Sequence, residues 1–173
     1  NAAACWLGGF VAAANEGKAV RVARVIPPRD WRAIVALPTQ SLATSKARAV
    51  LPATYPSADV VANIQAVSML GLAFAQGRGD LLHVAMQDRI HQPYRAEMCP
   101  LLPSLLPLAG SGGILGVGLS GAGPAVLVIV ESDAQVADAS EAILRAMETL
   151  PAPKLLTCCF EENGAKASLQ SIE

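Results

Sequence analysis

Residues 116–124 read Gly-Val-Gly-Leu-Ser-Gly-Ala-Gly-Pro and stand between two apolar stretches, with Ile114, Leu115 and Val117 on the approach and residues 125–130 on the exit. Glycines this dense let a backbone take positive φ and approach another group closely, at an entropic cost. Two readings are open. The segment is a tight turn joining two buried strands, or its exposed N–H groups form a concavity that receives an anion. The context excludes the generic nucleotide loops, because no Gly-x-Gly-x-x-Gly opens a helix here and no Gly-Lys-Ser/Thr follows. Nor is Gly-Leu-Ser-Gly-Ala the Gly-x-Ser-x-Gly elbow of a hydrolase, since the second glycine follows Ser120 directly.

The chain has 173 residues, enough for one compact unit or one unit with a remnant of another. It is 53% hydrophobic and 16% charged, which supplies a core and leaves little for a disordered tail. A net charge of −1, no basic run and only 4% aromatic residues argue against a nucleic-acid partner. Cys5, Cys99, Cys158 and Cys159 form no C-x-x-C pair, and with only His83 and His91 beside them a metal site is not expected. Free thiols fit the reducing cytoplasm better than a secreted disulfide framework. No positively charged stretch precedes residues 2–14, so a signal peptide is not expected. The uncharged run Met98–Val130 is the one membrane candidate, and its prolines and glycines break it below the ~20 residues of a span. No membrane association is expected.

Along the chain, Ala2–Leu7 favours a helix stopped by Gly8-Gly9. Phe10–Ala14 and Ala19–Val25 read as strands about a turn at residues 15–18, and Trp31–Leu37 as a third. A short helix is expected over Thr44–Leu51, stopped by Pro52. Ser57 is placed to cap a long amphipathic helix, Ala58–Gln76, with Val60, Val61, Ile64, Val67, Leu70, Leu72 and Phe74 as its apolar set. Asp80 would cap Leu81–Arg89, and a proline-laced helical stretch would continue to Leu108. Strands then flank the glycine loop, Gln135–Leu150 is a second amphipathic helix, and Lys154–Phe160 closes as a strand, with a further short one near Ala165. This order predicts an α+β two-layer sandwich with a mostly antiparallel sheet.

Four separated segments, in order, resemble the homoserine kinases of the GHMP family of small-molecule kinases. They are Asn1 with the following Ala-Ala-Ala-Cys-Trp-Leu-Gly-Gly-Phe; Leu37-Pro38 through Thr44-Ser-Lys-Ala-Arg48 to Pro52; Asp88-Arg-Ile-His-Gln-Pro-Tyr-Arg95; and the glycine loop. The resemblance runs from residue 1 to about residue 165. It implies that residues 1–30, a helix plus hairpin, finish an N-terminal ATP-binding domain, and that residues 31–173 form a ferredoxin-like C-terminal substrate domain. The family's Pro-x-x-x-Gly-Leu-Gly-Ser-Ser-like ATP loop does not occur in residues 1–173, so the chain alone is expected to be inactive. A homodimer is left open.

Phosphorylating a side-chain hydroxyl needs a clamp for the substrate's amino-acid head, a phosphate cradle with Mg²⁺, and a route for the hydroxyl proton. A carboxylate clamp calls for arginine, whose planar fork matches the anion. Arg48 and Arg95 are the candidates, with solvated surface charges as the alternative. The resemblance implies that both bind the homoserine carboxylate, that Asn1 contacts the same amino-acid head, and that Thr44 sits by the hydroxyl. Thr44 precedes Arg48 by one helical turn, and the plainer reading makes Thr44 or Ser45 a helix N-cap. Gly118, Ser120, Gly121, Ala122 and Gly123 would support the phosphate site, with ATP and Mg²⁺ held mainly by the preceding domain. His91 is a tempting base, but a structural hydrogen bond at its helix end is expected instead. The resemblance thus implies ATP-dependent conversion of L-homoserine to O-phosphohomoserine for threonine synthesis. Two readings stand beside it: a GHMP kinase for another small alcohol, and a non-catalytic ferredoxin-like sensing or dimerisation domain.

Overall fold

The computed structural model describes residues 2–165; Asn1 lies outside the described residues. The chain begins with helix α1 (Ala2–Leu7) and an antiparallel hairpin of β1 (Phe10–Glu16) and β2 (Ala19–Val25), in register from Phe10 opposite Val25 to Glu16 opposite Ala19. Residues 161–165 return to this unit. The Gly9 N–H donates to the Glu161 carbonyl at 2.6 Å, the Ala165 N–H to that of Cys5 at 2.8 Å, and Arg24 Nη1 to those of Leu7 and Glu162 at 2.6 and 3.2 Å. Where a last strand was expected near Ala165, the backbone instead spends its hydrogen bond on α1, and the described residues there form no strand.

The rest is built on a four-stranded antiparallel sheet of β3 (Arg32–Leu37), β4 (Ile114–Leu119), β5 (Val126–Val130) and β6 (Lys154–Cys159), in the order β4-β5-β3-β6. That order, with helical crossovers between β3 and β4 and between β5 and β6, is the ferredoxin-like βαββαβ arrangement. The first crossover carries α2 (Thr44–Ala49), α3 (Ser57–Gln76), α4 (Leu82–Ala85), α5 (Gln92–Arg95) and α6 (Leu101–Leu105); the second carries α7 (Val136–Ala146). The α+β class with an antiparallel sheet is thus what the sequence led one to expect.

Strand β5 is apolar at every position, and the period of two sends its side chains to two different cores. Val126, Val128 and Val130 join Ile34, Leu101, Leu102, Leu105, Ile143 and Met147 in a core under α6 and α7. Ile129, with Leu127 beside it, joins Trp31, Phe74 and Leu82 under α3 and α4. Phe10 of the hairpin stacks on Phe74 with ring centroids 4.3 Å apart, so the second core also anchors the N-terminal unit. The sheet with α6 and α7 makes the two-layer sandwich, and α3 and α4 add a layer on the opposite face. The uncharged run from Met98 to Val130 is divided among α6, β4 and β5 rather than forming one helix.

Several local expectations are corrected. Ser57 does not cap α3: Pro56 occupies the N-cap with no side-chain bond, its ring holding φ at −56° and the hydroxyl of Ser57 already lying inside the helix. Asp80 does not cap a helix either; its carboxylate is drawn to Arg78, with Nε and Nη2 at 2.7 and 2.6 Å. The N-cap of α2 is Ala43, so neither Thr44 nor Ser45 serves there. The apolar set of α3 is mostly uncovered among the described residues: Ala66, Ala73 and Phe74 are its buried positions, while Val61, Ile64 and Val67 are 53%, 62% and 62% exposed. This helix is long and apolar enough to cross a bilayer by length and composition alone. It is seated on the sheet through Phe74 and Ala73.

Helix α4 reaches β4 because Gly116 has no side chain. A Cβ there would collide with Met86 Sδ and sit 3.2 Å from both the Cβ and the carbonyl oxygen of Leu82. Met86 can swing aside, but the Leu82 backbone cannot. At Gly118, by contrast, a Cβ meets ordinary contacts at 3.5 Å from Gln92 and Met86. Gly116→Ala is therefore expected to lower stability by about 1–3 kcal/mol in urea unfolding, and Gly118→Ala to stay within about 0.5 kcal/mol of the parent. Equal losses would mean that the α4–β4 approach is not what demands the glycine.

Candidate active site

A cavity of about 910 Å³ opens where the first crossover meets the end of β4. Its walls come from α2 (Thr44, Arg48), from Asn63, Val67 and Leu70 of α3, from the turn through Met86, Asp88 and His91, from Gln92 and Arg95 of α5, and from Gly118, Leu119, Gly121 and Ala122. Segments separated by more than seventy residues thus meet in one space. Of the sequence-predicted residues, Thr44, Arg48, Arg95, Gly118, Gly121 and Ala122 line it; Ser120 and Gly123 do not.

Arg95 is the most constrained of these. It is 7% exposed, and its Nε donates to the carbonyl of Ala47 at 3.0 Å, tying α5 to α2. No ion pair engages Arg95 among the described residues. Its guanidinium lies on the cavity wall without a carboxylate from its own fold among the described residues, and the nitrogens that Ala47 does not engage reach the open cavity, where an anion can meet them. Arg48 is exposed on the same wall and is likewise without a partner among the described residues. Since Arg48 follows Thr44 by four residues, the hydroxyl and the second guanidinium share one face of α2. Cys99 lies behind Arg95; burial pushes its thiol up, against the pull of the Arg95 charge.

The glycine loop bears out the first of the two readings of the sequence. It is a turn between buried strands, closed by the Ser120 N–H on the Ala125 carbonyl at 2.9 Å and the Gly123 N–H on the Ser120 carbonyl at 3.2 Å. It is also a wall of the cavity. Gly121 has φ of +63° and faces open space, so its lack of a side chain leaves bare backbone toward the cavity. Gly123, with φ of +83°, is a packing glycine instead: a Cβ would come within 2.7 Å of Cys99 Sγ.

His91 lies on the wall with Nδ1 3.1 Å from Asp88 Oδ2. The other oxygen of Asp88 accepts the N–H groups of Ile90 and His91 at 2.6 and 2.9 Å. Asp88 thus shapes the entry to α5 and fixes the imidazole, the structural bond expected at that helix end. Arg89 forms the expected surface pair, with Asp59 at 3.4 Å.

Gln92 is a residue the sequence reading passed over. It is 5% exposed, accepts the Leu119 N–H at 3.0 Å and donates from Nε2 to the Met86 carbonyl at 3.3 Å. It therefore holds the end of β4 against the turn after α4 and sets where the glycine loop begins. Asn63 plays a similar part, its Oδ1 accepting the Arg89 N–H at 2.8 Å. The signal for Gln92 was its place within the Asp88–Arg95 segment; for Asn63 it was only a polar residue in an apolar helix. Among the described residues, no group of three or more His, Cys, Asp or Glu could hold a metal.

Residues 72–149 match the family model described as GHMP kinases C terminal. A homoserine kinase of Solibacter usitatus is 39% identical over 166 residues, covering 95% of this chain and 54% of the relative. One from Deinococcus radiodurans is 45% identical over 127 residues, 73% of this chain and 41% of the relative. The crystal structure of a homoserine kinase from Cytophaga hutchinsonii superposes with a TM-score of 0.84 over 95% of this chain and 52% of its own, at 24% identity, and so speaks for the fold. The chain spans about half the length of the curated relatives it matches. It belongs to the GHMP kinase family, of which it carries the C-terminal domain.

Proposed function

We propose that the chain is the substrate-holding part of an ATP-dependent kinase that converts L-homoserine to O-phosphohomoserine, a cytoplasmic step of threonine synthesis. The observation that carries the proposal is Arg95, a buried cation on the cavity wall that lacks an anion, facing the same space as Arg48 and Thr44. Two guanidiniums suit the carboxylate of an amino acid, and a threonine hydroxyl one helical turn away suits its side-chain alcohol. Sugar alcohols carry no carboxylate to reward this pairing. A sensing domain without catalysis would not require bare glycine backbone beside the clamp. The relatives named homoserine kinase favour the same substrate.

The residues present fit a supporting role toward the nucleotide. Gly121 and Ala122 offer uncluttered backbone where a transferring phosphoryl group would approach the substrate hydroxyl. ATP with Mg²⁺ supplies the γ-phosphoryl group and charge neutralisation, and is held mainly by residues outside this chain. Residues 1–30 are assigned to that ATP-binding part and residues 31–173 to the substrate part. Within the site, Arg48 and Arg95 bind and orient the carboxylate and Thr44 positions the hydroxyl; the contact with the amino-acid head that the resemblance implies for Asn1 falls on a residue outside the described ones. Gln92 holds the glycine loop at its distance, and Ser120 and Gly123 keep the turn closed behind it.

The 173-residue chain alone is expected to give no homoserine-dependent ADP release in a coupled assay, because positioning without a nucleotide cradle leaves the transferring charge unstabilised. Clear turnover would refute the assignment of ATP binding to residues outside it. In the full-length kinase, Arg48→Ala should raise the KM for homoserine roughly 10- to 100-fold, with the KM for ATP and the melting temperature nearly unchanged. Arg95→Ala should do the same and also lower the melting temperature, since α2 loses its anchor at Ala47. If both variants handle homoserine like the parent, the clamp is wrong.

A second comparison separates positioning from base catalysis. Gly121→Val should damage kcat severely, because a branched side chain is strained at positive φ and fills the open space at the loop. His91→Ala should act mainly on stability. A folded His91→Ala enzyme that has lost ~10³-fold in kcat would instead identify a general base.

A further inference from the structure

A second cavity of about 510 Å³ lies on the other side of α2. Lys46 lines it, whereas Thr44 and Arg48, each two residues away, line the first. A step of two residues carries a side chain to the opposite side of a helix, so the two cavities stand back to back across α2. The loop is shared in the same manner, with Gly121 and Ala122 on the first cavity and Pro124 on the second.

The floor of the second cavity is hydrocarbon and thioether: Met98, Leu101, Met147 and Leu150. Lys46 is the one charged residue on its wall, and no hydrogen bond or ion pair holds its ammonium among the described residues. We infer that this cavity is a binding site for a small monocarboxylic acid with a compact apolar body, separate from the candidate active site. A pocket of this size, mostly apolar, with one charged anchor and the neutral polar side chains of Thr39, Gln40 and Ser41 beside it, is of the kind that takes small ligands. The single cation matches a single carboxylate. A phosphate would bring a second negative charge with no second cation on the wall to balance it. An α-amino acid would bring an ammonium, and no aspartate or glutamate lines the wall to receive it. The expected ligand class therefore differs from the amino-acid substrate proposed for the first cavity.

The chain contains its own reporters. Of its four methionines, Met98 and Met147 line this cavity, Met86 lines the first, and Met69 lines neither. Hexanoate titrated into methionine-methyl-labelled protein should move the Met98 and Met147 resonances saturably and leave Met69 in place. 1-Hexylamine, of equal length and opposite charge, should not. Lys46→Gln should weaken hexanoate at Met98 and Met147 about tenfold or more, and Lys46→Arg should retain it. Lys46 is exposed, so neither substitution threatens the fold. Undiminished affinity in Lys46→Gln, an equal response to hexylamine, or shifts confined to Met86 would overturn the inference. These outcomes do not depend on how Arg48 and Arg95 variants treat homoserine.

Discussion

The bond from Arg95 Nε to the Ala47 carbonyl is the contact on which the site depends. It joins two short helices, each too brief to hold itself in water without tertiary support. Remove it and α2 has little else to fix Thr44 and Arg48 against the glycine loop. The same bond explains why a charged residue is tolerated at 7% exposure. One nitrogen is satisfied by backbone, and the cavity gives the remaining charge a side from which an anion can reach it. Burial without an internal carboxylate keeps the guanidinium available, where a partner from the fold would have quenched it.

Around this contact, glycine and glutamine do complementary work. Gly116 lets α4 press against β4, which brings Met86 and the following turn under the strand end. Gln92 then bridges the Met86 carbonyl and the Leu119 N–H, so one side chain serves two half-buried backbone groups from different elements. The loop that follows starts from a fixed point, and Gly121 can present bare backbone because its neighbours already close the turn. The precision of the loop is thus inherited from residues that bind no substrate themselves.

How much of this was legible in the sequence depended on whether the signal was local. Strands β4 and β5, α7 and the hairpin were readable because period and turn chemistry act over a few residues; Ala139, Ile143 and Met147 are buried at the helical spacing their positions implied. Caps were less readable: Ser57 and Asp80 had the right chemistry, and a neighbouring proline in one case and an arginine in the other decided the outcome. The apolar face of α3 shows the limit of periodicity, which states a preference for leaving water and says nothing about what provides the cover. The site residues were legible through resemblance, since Arg48 and Arg95 look like ordinary surface charges until the fold brings them together. Gln92 was marked only by its place in the Asp88–Arg95 segment, because its role is defined by one carbonyl and one amide N–H from other elements.

The arrangement also bears on how a proton would leave the substrate hydroxyl. Phosphoryl transfer through a loose transition state asks for little proton removal before bond breaking, so a strong base gains little and alignment gains much. His91 is placed consistently with that economy. Its Nδ1 faces Asp88, and the same carboxylate is committed to the backbone of the turn, so the imidazole is held as part of the scaffold. A carboxylate on Nδ1 also leaves Nε2 open, as in the histidines of catalytic triads, so it is the reaction's small demand for a base, and not the contact itself, that assigns His91 to the scaffold. What the cavity offers instead is fixed: two guanidiniums on helices locked together, a hydroxyl one turn away, and open backbone at Gly121. Such a site works by holding its reactants in place, and its tolerance for error is set by how firmly α2 and the loop are tied to α5.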